Sequence, residues 1–473
     1  MASDQDIELI AHLMRRAGFG SHRDELDAYA ARGYETTVEE LLHPENQPPF
    51  DDDLLYRYFP YFRIGTAIAT QQSHWTLRMI STKRPLEEKM ALFWHHLFAT
   101  GFAKVENAPD MDQQIEILRR YGMGDFRTLL VKLSQDPAMI FWLDNCENHQ
   151  GAPNENYGRE LLELFSMGVG RDGAPNYTED DVKQCARAFT GWTIASGLPR
   201  YPYGEFLREF EYRANDHDDS EKAFLGRRGR LNGEDVIDII CQQPATARFI
   251  SRHLYNFFVA DEPQVPAWQN NPPQDPEAIQ QLEREYFRSN YDIRALLSVL
   301  FNSQFFKDSR FTKVKSPAEL VAGVMRLVDD YTSPKPRVHE IAAACGYMGQ
   351  ELLNPPTVEG WHTGREWIDS GALVERINFA SNQVGDLGKP GVRRIIDRLC
   401  AHGSDMTPEE LVDRCLELAG HVPVSQDRRQ ELIDHVRSGG DLRCGTAEER
   451  EAFGPRVARL LQLIVSSREY QFA

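Results

Sequence analysis

The chain has 473 residues, of which 41% are hydrophobic and 26% charged, so it is long enough to bury a large core and is neither disordered nor fibrous. Its 72 acidic residues outnumber its 53 basic residues and give a net charge of −19, which argues against a nucleic-acid partner. No apolar run approaches the roughly 20 residues that span a bilayer, so no membrane span is expected.

The first twenty residues lack a charged segment followed by an apolar one, so the sequence as written carries no secretory signal. We therefore expect a cytoplasmic location, with removal of an export signal as the alternative. The seven cysteines are widely spaced and form no CxxC pair. That spacing argues against a disulfide framework and against a cysteine zinc site, and it predicts free thiols.

Apolar residues recur at helical spacing along most of the chain and predict a series of helices. The predicted helices cover residues 6–17, 85–99, 111–121, 126–133, 155–167, 179–190, 233–241, 245–258, 276–288, 293–302, 317–329, 408–418 and 447–467. Only residues 205–213 alternate as a strand would. The sequence therefore predicts an all-α protein with at most a small β-ribbon near residues 205–213.

Residues 261–276 contain five prolines, too many for a regular element, and indicate a connection between two units. We predict an N-terminal helical domain over residues 1–260 and a C-terminal helical domain over residues 277–473.

The predicted helix 155–167 gathers polar side chains on one face. At about 100° per residue, Asn156, Arg159, Glu160 and Glu163 fall within one arc, opposite the apolar residues. The two glutamates are neighbours at i, i+3 and are placed to share a cation or a proton. The alternative is a solvated face that carries Glu155–Arg159 and Arg159–Glu163 pairs.

Two further segments carry candidate groups. His95 and His96 lie in a strongly apolar helix and point about 100° apart, so a regular helix cannot direct both at one ion. The acidic segment around His217 and Asp218 is expected in a loop, where functional groups are often mounted. A buried core role for His95 and a solvated turn for the second segment are the alternatives. The loop around Trp361 suits a ligand platform or a buried plug.

No GxxxxGK[ST], GxGxxG, HExxH or GxSxG motif occurs, so the usual support for ATP, NAD, zinc-protease and α/β-hydrolase functions is missing.

These segments together resemble the bacterial family called domain of unknown function 1800 over nearly the whole chain. The matching stretches are His12 to Gly20, Phe93-Trp94-His95, Asp136 to Met139, Leu143-Asp144-Asn145, Asn154 to Phe165, Tyr177 to Val182, Ala186 to Trp192, His217-Asp218 with Lys222, Lys315-Ser316-Pro317, and Pro355-Pro356 with Gly360-Trp361. Within them we take Asn156, Trp192 and Trp361 as candidate substrate-binding residues.

The resemblance implies a family without a settled activity, whose members are often exported and often accompany a second family resembling sulfatases. It therefore implies a sulfatase-like protein as a partner. Family members often show Trp-His-x-His-Phe, whereas this chain has Leu97 at the second histidine position. That departure leaves His95 as the better candidate for a site residue.

Two functional hypotheses follow. The first is an enzyme of unknown reaction whose catalytic residues are His95, Arg159, Glu160 and Glu163. In its metal-dependent form, Mn, Fe or Zn is held by His95, Glu160, Glu163, His217 and Asp218. In its metal-free form, Glu160 and Glu163 share a proton while Arg159 positions an anionic substrate. The second hypothesis is a non-catalytic binding or accessory protein whose motif residues form a buried structural network.

Overall fold

The computed structural model describes residues 3–64, 67–171, 174–195, 207–263, 265 and 267–473 and shows a predominantly helical protein. The helices of its first half are α1 Asp4–Arg16, α2 Arg23–Arg32, α3 Tyr34–Leu42, α4 Asp52–Tyr58, α5 Tyr61–Ile64, α6 Ile68–Ser81, α7 Pro85–Leu97, α8 Phe102–Val105, α9 Ala108–Tyr121, α10 Phe126–Ser134, α11 Pro137–Trp142, α12 Asn156–Glu163, α13 Glu179–Ala188, α14 Gly233–Cys241 and α15 Pro244–Phe258. The remaining helices are α16 Pro276–Arg288, α17 Ile293–Asn302, α18 Gln304–Lys307, α19 Pro317–Val328, α20 Val338–Tyr347, α21 Ser370–Gly385, α22 Pro390–His402, α23 Pro408–Leu418, α24 Gln426–Ser438 and α25 Ala447–Val465.

The all-α fold class is confirmed, and the strands form only small antiparallel ribbons in the described ranges. These are β1 Gly170–Arg171 with β2 Ala174–Pro175, β3 Trp192–Ile194 with β4 Phe210–Tyr212, and β5 Lys222–Phe224 with β6 Arg227–Gly229. Strand β4 lies within the predicted strand 205–213, of which residues 205 and 206 fall outside the described residues. The other two ribbons were not expected, because strands of two or three residues leave no alternation to detect.

Capping side chains set the starts of several helices. Thr178 and Asp181 form a reciprocal capping box before α13, as their spacing suggests. Ser316 and Glu319 form another before α19, with Pro317 at the first helical position.

Helices from both halves of the chain share one hydrophobic core. Helix α6 packs against α19 and α20, and α3 packs against α17. The buried pair between Lys89 of α7 and Glu319 of α19, at 2.5 Å, also joins the two halves. The division into residues 1–260 and 277–473 stays a prediction.

A buried ion network around Glu88 holds α6, α7 and α9 together. The Glu88 carboxylate accepts hydrogen bonds from Trp75 Nε1 at 3.1 Å, Arg78 Nε at 2.9 Å and Arg119 Nε at 2.9 Å. The glutamate is fully buried, and the two arginines lower its pKa against the effect of burial. A buried carboxylate with this many donors is a structural element of the helix packing.

All seven cysteines are free thiols. Cys241, Cys345 and Cys415 are buried, and burial raises the pKa of each of these thiols to about 12. Within the described ranges, no helix combines the length and apolarity that crossing a membrane requires.

Candidate functional site

Helix α12 carries the predicted carboxylate face but is shorter than the predicted 155–167. It ends at Glu163, after which Phe165 N donates to Glu160 O at 3.0 Å and Gly168 N donates to Leu162 O at 3.1 Å. Gly168 ends the turn in the left-handed region, with φ +70°. Leu164 N still donates to Glu160 O at 2.9 Å, so the residues after Leu164 are those that keep the apolar pattern without helical hydrogen bonds.

The two glutamates of α12 lie side by side in a half-buried position. Tyr177 donates a hydrogen bond to Glu163 Oε2 at 3.3 Å. Burial is the main cause that raises the pKa of Glu160 to about 7, and the negative charges of Glu163 and Glu359 add to it. Arg159 partly opposes this shift. Glu160 is therefore a carboxyl group whose proton exchanges near neutral pH.

Arg159 points away from this pair. Its guanidinium binds Glu179 of α13 through Nη1 at 2.9 Å and Nη2 at 2.8 Å, and it reaches Glu155 at 3.1 Å. The Glu155–Arg159 pair that the solvated-face alternative predicts is therefore present. Within the described part of the chain, no ion pair joins Arg159 to Glu160 or Glu163.

His95 is fully buried and enclosed by tryptophans. Its ring contacts Trp75 at 5.6 Å and Trp361 at 5.3 Å between centroids, both edge-on. Neither ring nitrogen has a hydrogen-bond partner within 3.5 Å in the described structure, and a weaker contact with the Gln114 side chain favours the charged imidazole. Burial lowers the pKa of His95 to about 3, and His96 lowers it further. The imidazole is thus neutral, and the groups that shift its pKa do not include Glu160 or Glu163.

The neighbouring His96 lines a cavity of about 130 Å³, here called the histidine cavity. The cavity lies between the end of α7, the residue after α12, helix α15, the proline-rich segment and the loop 357–363. Its polar and aromatic walls are formed by His96, His253, Asn256, Trp268, Glu359, Trp361 and His362. Of the residues predicted to bind substrate, Trp361 is therefore on the wall of a cavity.

The two inner histidines of this cavity are uncharged at neutral pH. His96 stacks on Trp361 at 6.1 Å, and His253 contacts Trp268 at 4.5 Å. Burial lowers the pKa of His96 to about 4 and lowers the pKa of His253 well below its usual value. His96 Nδ1 and His253 Nε2 are buried and have no hydrogen-bond partner among the described residues. Two imidazole nitrogens are thus left without a bond beside an open space.

The loop 357–363 connects the cavity to the carboxylates of α12. Glu359 lines the cavity and raises the pKa of Glu160, and Leu164, which also lines it, lies one helical turn after Glu160. Gly360 makes this approach possible, because its φ is +90° and a Cβ there would lie 2.5 Å from His96 O. Glu160 does not line the histidine cavity itself, and it is linked to the cavity through the charge of Glu359 and through Leu164.

His217 and Asp218 serve as loop anchors elsewhere. His217 Nδ1 lies 2.9 Å from Thr190 O, and Asp218 N donates to Thr190 Oγ1 at 2.7 Å. The Asp218 carboxylate accepts hydrogen bonds from Arg187 Nε at 2.7 Å and from Ser220 N at 3.0 Å. These bonds to the carboxylate hold the pKa of Asp218 well below its usual value, against the effect of burial. Both residues are buried rather than part of a solvated turn.

Trp192 and Asn156 also contact protein groups. The Trp192 ring is buried between Phe189 at 5.1 Å and Phe210 at 5.3 Å, and its carbonyl accepts from Asn145 at 2.8 Å. Asn156 donates to Asp144 at 3.4 Å. Neither residue lines the histidine cavity.

The predicted metal ligands do not form a metal site. In the described residues, no group of three His, Cys, Asp or Glu side chains is arranged to hold an ion. His95 is enclosed by tryptophans, and His217 and Asp218 are bound to Thr190 and Arg187. The expectation that His95, Glu160, Glu163, His217 and Asp218 share one ion therefore finds no support in the geometry.

Sequence reasoning missed His96, His253 and Trp268. His96 was set aside in favour of His95, although its position next to His95 meant that the two face different surroundings. His253 lies in a strongly amphipathic helix, and Trp268 lies in the segment interpreted only as a connection.

Fold and site together define a helical protein with a cavity lined by neutral histidines and tryptophans and by the carboxylate Glu359. The chain belongs to the family described as "Protein of unknown function (DUF1800)", whose model matches residues 12–472. Searches of curated proteins and of solved structures found no match.

Proposed function

We propose that the protein is an enzyme that transfers protons on a small polar substrate bound in the histidine cavity. Glu160 is the general acid–base group, and Glu163 is the second carboxylate that keeps its proton exchangeable. The observation that carries the proposal is the raised pKa of Glu160, about 7, in a carboxyl group that interacts with Glu359 on the cavity wall. A catalytic acid or base works best when its pKa is close to the working pH.

The walls of the cavity indicate the class of substrate. Trp268 and Trp361 offer aromatic surfaces, while His96, His253 and Asn256 offer uncharged hydrogen-bonding groups. The carboxylate of Glu359 on the cavity wall disfavours an anion. The walls therefore suit an uncharged molecule with hydroxyl or carbonyl groups and one apolar face.

This proposal is narrower than the enzyme hypothesis from the sequence. It uses no metal ion, because the described side chains supply no cluster of ligands. It also gives Arg159 no role in binding an anionic substrate, because its guanidinium is occupied by Glu179 and Glu155. His95 is assigned to the wall behind Trp361, where it contacts the indole ring.

A depletion assay tests the proposal. The purified protein is incubated with a pool of small polar metabolites, and mass spectrometry follows each compound. A substrate should be consumed by wild type at least 100-fold faster than by Glu160→Gln, and the wild-type rate should change through a pKa near 7. The matched control Glu179→Gln removes an exposed carboxylate from the neighbouring helix and should retain the wild-type rate.

The variant His253→Gln gives a second test. Because His253 is on the wall of the proposed substrate cavity, its loss should raise KM more than it lowers kcat. Consumption that is unaffected by Glu160→Gln, or the absence of any consumed compound, would argue against the enzyme.

The accessory-protein hypothesis keeps one specific observation in its favour. Trp192, His217 and Asp218 all make structural contacts, as a buried network would require. Under that hypothesis the protein would bind a partner, such as the sulfatase-like protein, equally well with glutamine at position 160. A cytoplasmic location and the absence of a nucleic-acid partner remain predictions from the sequence.

A further inference from the structure

A second cavity, of about 60 Å³, is lined by a different set of residues from the histidine cavity. It is formed by α1, the start of α19, residues 419–422 and the C-terminal residues 470–473. Arg15 and Lys315 are its two cationic wall residues, and we call it the cationic cavity. Both lie in stretches that carry the family resemblance, and the proposed enzyme mechanism uses neither.

The surroundings of this cavity contain more buried positive than negative charge. Six cationic side chains are buried or half-buried here: Arg15, Arg16, Lys89, Lys313, Lys315 and Arg376. Two carboxylates balance two of them. Glu319 binds Lys89 at 2.5 Å, and Asp261 binds Lys313 at 3.1 Å.

The other four cations are bound to uncharged groups. Arg16 donates to the carbonyl oxygens of Val259 and Ser309, each at 3.1 Å. Arg376 donates to Gln471 at 2.8 Å and to a backbone carbonyl at 2.9 Å. Among the described residues, no carboxylate lies within 4 Å of these two guanidinium groups or of the charged groups of Arg15 and Lys315.

Arg15 has an unused edge. Its Nη1 donates to Gly420 O at 2.7 Å, while Nε and Nη2 are buried without a hydrogen-bond partner in the described part of the chain. Nε and Nη2 form the side of the guanidinium that binds a carboxylate through two parallel hydrogen bonds. Buried donors left unpaired cost stability and call for a ligand or water.

Lys315 supplies a second cation on the same wall. Its Nζ donates to Tyr470 O at 2.7 Å and lies 4.0 Å from the centroid of the Tyr470 ring. Burial lowers the pKa of Lys315 well below its usual value, and the charges of Arg15 and Arg376 lower it further. A bound anion would relieve this repulsion.

We propose that the cationic cavity binds a small monocarboxylate, with its carboxylate on Arg15 and Lys315 and its short apolar part against Leu320 and Val422. A cavity of 60 Å³ accommodates about four to six water-sized groups, which matches an acid such as propionate. Glu319 also lines the cavity and disfavours a second negative charge, which selects a monoanion over phosphate.

Thermal unfolding tests this assignment with sodium propionate as the probe and sodium chloride at equal ionic strength as the reference. We expect propionate to raise the wild-type Tm by several degrees and phosphate to raise it by less than half as much. Lys315→Met should abolish the shift, and Arg15→Gln should do the same if it folds. Arg310→Gln should keep it, because Arg310 is an exposed arginine paired with Glu8 at 3.1 Å.

Titration calorimetry tests the binding of propionate separately from the proposed enzyme function. Propionate affinity should fall at least tenfold in Lys315→Met and stay unchanged in Glu160→Gln. Equal Tm values in propionate and chloride, a shift that persists in Lys315→Met, or a larger effect of phosphate would each overturn the assignment.

Discussion

The two ends of helix α7 differ in whether their buried polar groups have hydrogen-bond partners. Near its start, Glu88 is bound by Trp75 and two arginines, so every strong charge has a partner. At its end, His95 and His96 are surrounded by aromatic rings and leave ring nitrogens without hydrogen bonds. One helix therefore carries a satisfied structural network and, two turns later, an unsatisfied one beside a cavity.

This contrast distinguishes buried polar groups that stabilise helix packing from buried polar groups that are placed to bind a ligand. A buried charge with a full set of partners stabilises the packing of helices, and removing one member leaves the others uncompensated. A buried polar atom without a partner lowers stability and is retained where it meets a ligand. The first type predicts large losses of stability on mutation, and the second type predicts small ones.

The largest expected effect is at Glu88. Glu88→Gln removes the charge that compensates Arg78 and Arg119, which are both buried, and should lower the free energy of unfolding by about 3–5 kcal/mol. Urea unfolding measures it. The control Glu116→Gln removes the exposed partner of Arg119 and should cost less than about 1 kcal/mol. Similar losses in the two variants would show that the buried network around Glu88 stabilises the protein no more than an exposed ion pair does.

A smaller effect concerns the pH dependence at Glu160. Its pKa rises from 4.5 to about 7 on folding, so the folded protein holds this proton more tightly than the unfolded chain. Its stabilising contribution is complete below pH 4.5 and is lost as the pH rises to about 7. Because Glu160 is partly screened by solvent, we expect a loss on the order of 1 kcal/mol. The stability difference between wild type and Glu160→Gln, measured from pH 4 to 8, should shift by this amount in favour of the variant. A constant difference would show that the pKa of Glu160 is ordinary.

The end of α7 should tolerate the loss of a polar group. His95→Leu replaces an imidazole without hydrogen bonds by an apolar side chain and should change the free energy of unfolding by less than about 1 kcal/mol. Chemical unfolding of the variant gives the value. A loss close to that of Glu88→Gln would show that Gln114 is a full hydrogen-bond partner of His95.

The smallest effect is expected at the surface. Arg159→Lys loses the paired hydrogen bonds to Glu179 and should lower stability by about 0.5 kcal/mol. A thermal melt detects this change, and the depletion assay should show an unchanged rate. A marked loss of rate would show that Arg159 takes part in substrate binding or catalysis and does not only stabilise the packing of helices.

Part of the fold was predictable from the amphipathic pattern of its helices, although the amphipathic helix α22 was not predicted. Helices α14, α16, α17 and α23 begin and end where their sequence patterns predict. Helix α6 was missed because it is buried on nearly all sides, so its apolar and polar residues show no clear period. Helix α24 was missed for the opposite reason, since most of its surface is exposed and few apolar positions remain.

The site was predictable only in part. The carboxylates of α12 share a face in the sequence, and Trp361 stood out as a large side chain in a rigid loop. Helices α7 and α15 and the loop 357–363 meet through tertiary packing between segments that are far apart in the sequence, which leaves no local pattern. The sequence analysis favoured His95 over His96. In the structure, His96 lines the cavity, whereas His95 lies behind Trp361.

The buried thiols of this chain can be used as probes of local opening of the structure. Cys241, Cys345 and Cys415 are shielded and have pKa values of about 12, so an alkylating reagent at neutral pH reacts with each of them only when its surroundings open. The first thiol lies in residues 1–260 and the other two in residues 277–473. Mass spectrometry of labelling over time would show whether the three sites open together or whether the second half opens separately.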